Sequence, residues 1–107
     1  MNDEIFEICK ETGEQIGNVV FEADNFGDLY TLRNCKNPES LFEALENLSV
    51  KYAKENWTLR LSEDFLKILK DPILWKKAKS LAVIFAVNKY LQRHYARSVK
   101  DKNGGDA

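Results

Sequence analysis

Apolar residues crowd most densely at Leu81-Ala82-Val83-Ile84-Phe85-Ala86-Val87, with KKAKS before the run and NKYLQRHYARS after it. Seven apolar positions carry a helix through almost two turns and leave it no wet side. The flanks are good helix formers with apolar residues three and four apart, so one long helix is predicted over 71–99. Asp71 is its N-cap, and Pro72 suits the first helical position, where an N–H would have no intrahelical partner. Leu81, Val83, Ile84, Phe85 and Val87 are expected in the core, with Trp57 and Trp75 in or beside it.

Upstream, Glu4–Cys9 and Glu14–Glu22 are mostly apolar and rich in β-favouring residues, with Lys10-Glu11-Thr12-Gly13 between them. The glycine suits a hairpin turn, and Gly17 in the second segment suggests a bulge or a close backbone approach. A second turn signal over 24–28 leads into Leu29–Arg33, which completes a three-stranded antiparallel meander. Asn37-Pro38 then starts a helix of about 17 residues, with Leu41, Leu45, Leu48 and Tyr52 on one stripe and Glu39, Glu43 and Glu46 on the other. Asn56 marks its end. Trp57, Leu59 and Leu61 alternate with polar residues as a fourth strand does, and Ser62 caps a short helix over Glu63–Lys70. The predicted fold class is α+β in the order β-β-β-α-β-α-α, as a single domain over 1–99 with a disordered tail at 100–107.

With 107 residues and 44% hydrophobic positions, the chain has enough apolar material for one core. No segment has the length of a membrane span, and the N-terminus lacks a secretory pattern, so a cytoplasmic protein with no membrane partner is expected. Cys9 and Cys35 lack metal-ligand spacing and read as small, partly buried thiols.

Charge changes the picture most. Residues 1–50 hold eleven acids against three bases, whereas residues 51–107 hold thirteen bases against six acids. Lys89, Arg93, Arg97 and Lys100 follow at steps of four, four and three, which places four cations on one helical stripe. Cations near a helix C-terminus also oppose its macrodipole, so a stripe of this kind requires no ligand.

His94, the single histidine, has no nucleophile or orienting carboxylate at a recognisable spacing, and no phosphate-binding glycine motif is present. No catalytic, metal or cofactor residues are assigned, and an enzyme is not expected. Two functional readings follow. In the first, the chain is a non-catalytic protein-interaction module, a regulator, inhibitor or assembly factor. It would use the Glu39/Glu43/Glu46 face, the Lys89/Arg93/Arg97/Lys100 face and apolar surface on the long helix, with a homodimer as one form of partner. In the second, the same basic stripe binds nucleic acid through phosphates, helped by Lys76, Lys77 and Lys79.

Overall fold

A computed structural model describes residues 2–105 of the chain, with side-chain surroundings through Lys100. Five helices make up the fold: α1 (Asp3–Ala23), α2 (Gly27–Arg33), α3 (Pro38–Ala53), α4 (Glu63–Lys70) and α5 (Trp75–Gly105). There is no strand among the described residues, so neither the expected meander nor the fourth strand is present. The class is all-α rather than α+β.

The first two expected strands are one continuous helix. Asn2 caps α1 by accepting from the Ile5 N–H at 2.9 Å, and Asp3 and Glu4 place negative charge in its first turn. Cys9, Thr12, Gly13, Ile16, Gly17, Val19, Val20 and Phe21 are its buried positions, a helical stripe that the local β-favouring composition had masked. Gly13 makes no turn. The helix stops instead at Asp24, which is left-handed at φ 53°. Asp24 N–H donates to Phe21 O and Asn25 N–H to Val20 O, a Schellman closure.

Gly13 and Gly17 mark where α1 lies against α5. A methyl group on Gly13 would collide with the Ala82 carbonyl oxygen and stand 2.8 Å from Phe85 Cβ. One on Gly17 would collide with the Ala86 carbonyl oxygen and stand 2.9 Å from Lys89 Cβ. Because 13 meets 82 and 17 meets 86, the two helices run in the same direction. Gly17 is thus a close backbone approach, although between helices and not within a sheet.

This geometry also corrects the expected core of α5. Its buried residues, among those described, are Trp75, Ala78, Ala82 and Ala86, and the small side chains of Ala82 and Ala86 let α1 come near. Leu81, Val83, Phe85 and Val87 are only half-buried around them, and Ile84 is exposed. Trp75 is buried and Trp57 packs half-buried against the core, as the sequence suggests.

The remaining helices close the core from the side. Asn37 caps α3 by accepting from the Ser40 N–H at 2.8 Å, and Leu41, Leu45, Leu48 and Tyr52 are all buried. The last helical residue of α3 is Ala53, three before the expected end; Asn56 is left-handed at φ 66° and Trp57 N–H reaches back to Tyr52 O, so the chain turns away at Asn56. Residues 57–61 then form an extended connection. Leu59 is buried, but the chain's backbone partner is a side chain: the Gln15 amide donates to Arg60 O at 2.7 Å and accepts from Arg60 N–H. Alternating burial without an adjacent strand therefore produced the strand-like pattern. Ser62 caps α4 as predicted, accepting from Phe65 N–H. The Asp71 carboxylate accepts from Ile73 and Leu74 N–H one turn before α5 starts at Trp75.

The helix of α5 continues through Gly105, beyond the expected end at 99. Residues 106 and 107 of the expected disordered tail lie outside the described residues. At 1.5 Å per residue, the 31 residues of α5 span about 46 Å of a molecule 54 Å long.

Alanine at position 13 or 17 should gain about 1 kcal/mol in helix propensity but lose about 1 to 3 kcal/mol or more through overpacking against a backbone carbonyl, a net loss. Urea denaturation of Gly13→Ala and Gly17→Ala is expected to give lower midpoints than the parent; a higher midpoint for either would contradict the close approach.

Candidate functional site

The basic stripe of α5 continues the face that carries Ala78, Ala82 and Ala86, so its first half meets α1. Lys89 pairs with Glu14 at 3.2 Å. Arg93 bridges Glu22 and also donates to Asn18 O at 3.4 Å. α1 has no cation in its own last turn and ends on Glu22 and Asp24. Arg93 thus supplies, from a neighbouring helix, the positive charge that the α1 C-terminus favours.

Arg97 lies one turn further, past the last carboxylate of α1. Its guanidinium sits 4.2 Å over the Phe21 ring and that of Arg93 sits 4.4 Å over it, which holds both planar groups against an aromatic face. Phe21, Arg93, Ala96, Arg97 and Lys100 line an open cleft of about 360 Å³. Arg97 and Lys100 make no ion pair among the described residues. Among the described residues the four cations therefore divide into two with carboxylate partners, Lys89 and Arg93, and two without, Arg97 and Lys100.

The other face of this segment is apolar. Ile84, Leu91, Tyr95 and Val99 are all exposed, Tyr95 at 72%, and they lie within one sector of α5. All side chains from His94 to Lys100 are exposed. His94 stacks on Tyr90, with ring centroids 6.2 Å apart and the planes nearly parallel. No group of three His, Cys, Asp or Glu residues suited to holding a metal occurs among the described residues.

Glu39, Glu43 and Glu46 face outward on α3, exposed and without ion pairs among the described residues. They do not adjoin the basic stripe as one site. Near α3 the acidic residue with a structural task is instead Asp28, which accepts from the buried Tyr52 hydroxyl and pairs with Lys51 at 3.1 Å. Cys9 and Cys35 are both free and buried, and burial pushes the Cys9 thiol up in pKa, keeping it protonated. No helix among the described residues is long and apolar enough to cross a membrane.

Sequence reasoning missed a second cationic cluster. Arg33 and Lys36, two of the three bases in the acidic half, come beside Lys76 and Lys79 at the start of α5, around a depression of about 480 Å³. Lys79 turns inward and donates to Arg33 O and Cys35 O at 2.9 and 2.7 Å, while Arg33, Lys36 and Lys76 stay exposed. No spacing in the chain signals this cluster, because the fold of α2 against α5 creates it. Comparison with protein-family models, curated proteins and solved structures finds no match to the chain.

Two consequences for stability are measurable. Arg93→Ala should cost about 1 to 2 kcal/mol, because it removes a charge-assisted hydrogen bond and the cover of Phe21, whereas Arg97→Ala should cost less than about 1 kcal/mol; equal losses in urea unfolding would contradict this division. Burial and the Asp28 carboxylate push the Tyr52 hydroxyl well above its ordinary value of 10.0. The unfolded chain then releases that proton first, so the stabilisation is complete below about pH 10 and is lost above it. Tyr52→Phe should be less stable by about 1 to 3 kcal/mol at neutral pH, with the difference narrowing as pH rises past 10; a constant difference up to pH 11 would rule out the linkage.

Proposed function

We propose that the chain is a protein-interaction module, a regulator, inhibitor or assembly factor, that offers the projecting end of α5 to an acidic partner protein. The observation that carries this reading is one helix that exposes an apolar stripe, Ile84, Leu91, Tyr95 and Val99, on one face and, on the opposite face, Arg97 and Lys100, which form no ion pair among the described residues. A helix with an apolar stripe on one face and cations on the opposite face is what a partner groove that wraps the helix covers, as phosphates do not.

Charge favours an acidic partner over a second copy. Residues 75–100 contain seven Lys or Arg and no Asp or Glu, so two α5 helices packed together would set like charges side by side. Charge pairing between subunits also loses Lys89 and Arg93, which already hold Glu14 and Glu22. The same internal pairing weakens the nucleic-acid reading, since it leaves two of the four stripe cations for phosphates.

Affinity capture from the native source with the parent chain, Leu91→Asp/Tyr95→Asp and Arg97→Glu/Lys100→Glu tests the reading. A protein retained by the parent and lost by both double variants is expected. Fluorescence anisotropy with duplex DNA and single-stranded RNA should show nothing tighter than about 0.1 mM near 0.15 M salt. Tight oligonucleotide binding abolished by Arg97→Glu/Lys100→Glu would replace the proposal with the nucleic-acid reading. Sedimentation showing a dimer that Leu91→Asp dissociates would make the partner a second copy.

A further inference from the structure

A cleft of about 210 Å³ separates α2 from α5, lined by Phe26, Leu29, Tyr30, Arg33, Val83 and Val87. Its walls are aliphatic and aromatic. Phe26 stands edge-on to both Tyr30 and Tyr90, with ring centroids 5.4 and 4.9 Å away, which fixes the inner wall. Tyr30 at the rim is half exposed.

Arg33 belongs to this cleft and also to the cationic depression at the start of α5. The two hollows therefore meet at Arg33, and a ligand laid across both would follow a groove apolar at its Val87 end and basic at its Lys76 end. No Asp or Glu lines either hollow. Lys79 is held inward by backbone carbonyls, so Arg33, Lys36 and Lys76 are the cations a ligand would meet. From Val87 to Lys76 the groove follows eleven residues of α5, about 16 Å, which an extended peptide covers in about five residues.

We infer that this groove docks an acidic peptide segment of a protein partner, with one aliphatic or aromatic side chain seated between α2 and α5. Carboxylates on the next few residues then meet Arg33, Lys36 and Lys76. The inference rests on the reading that the chain works through a protein partner, but it concerns a surface apart from the projecting end of α5. Complementary charge along a rim whose charged side chains are all cations argues for acids, and the apolar cleft argues for a side-chain anchor. A nucleotide fits less well: Trp75 in the basic half is only 8% exposed and offers no stacking face, and the apolar half presents few groups to a base edge.

The test uses the full chain and three fluorescein-labelled probes: a peptide of one tryptophan followed by five glutamates, pentaglutamate alone, and a twelve-nucleotide single strand. In anisotropy titrations the tryptophan peptide should bind about tenfold or more tighter than pentaglutamate, a step of about 1.4 kcal/mol. Arg33→Glu and Tyr30→Asp should each weaken it about tenfold, whereas Arg97→Glu/Lys100→Glu should change it less than about twofold. Both groove positions are exposed, so circular dichroism of their variants should match the parent's helical signal; Arg33→Gln, which keeps a polar side chain, should fall between parent and Arg33→Glu. Equal binding of pentaglutamate, loss through the Arg97/Lys100 variant alone, or tighter binding of the oligonucleotide would each overturn the groove. The wider reading fails separately: capture that is indifferent to the α5-end variants sinks that surface, while peptide binding lost in Arg33→Glu still upholds the groove.

Discussion

The backbone of α1 touches the backbone of α5, and the rest of the molecule is arranged around that contact. Only hydrogen at positions 13 and 17 admits the Ala82 and Ala86 carbonyls, so the central pair is held by close packing of small surfaces instead of interdigitated large side chains. The consequence reaches α5 as a whole. With alanines turned inward, its bulky residues are pushed to the flanks, where α2 and α4 cover some and leave Ile84 and Leu91 in water. A helix so apolar would ordinarily bury its largest residues; here proximity replaces bulk.

That substitution explains which parts of the fold were legible in the sequence. Caps were, because they are local: Asn37 with Pro38, Asn56 and Ser62 each do what their chemistry suggests, and the leucine stripe of α3 is buried as its period requires. The N-terminal helix was not. Ile, Phe and Val over residues 5–21 favour strands, and a glycine between two such segments resembles a turn until it is known that another helix presses on it. Residues 57–61 deceived for a related reason, since the Gln15 amide satisfies Arg60 as a neighbouring strand would.

The basic stripe was legible as a stripe but not in its division of labour. Its spacing shows that Lys89, Arg93, Arg97 and Lys100 share a face, yet only the end of α1 decides which of them find carboxylates. The opposite charge of the two halves of the chain is in part an internal matter, because acids of α1 neutralise cations of α5. Arg33 and Lys36 show the reverse case. They are isolated bases in an acidic stretch, and only tertiary packing gathers them with Lys76 into a positive rim.

The parallel course of α1 and α5 also bears on how the chain reaches this structure. Gly13 meets Ala82 across 69 residues of sequence, so the central contact closes a long loop and cannot be made by neighbouring segments alone. During synthesis at about 5 to 20 residues per second, α1 waits about 3 to 14 s for the alanines that cover its glycine face. Until then α1 has only the intervening helices as cover, which makes the nascent chain most vulnerable to misassociation in the interval before its last helix emerges.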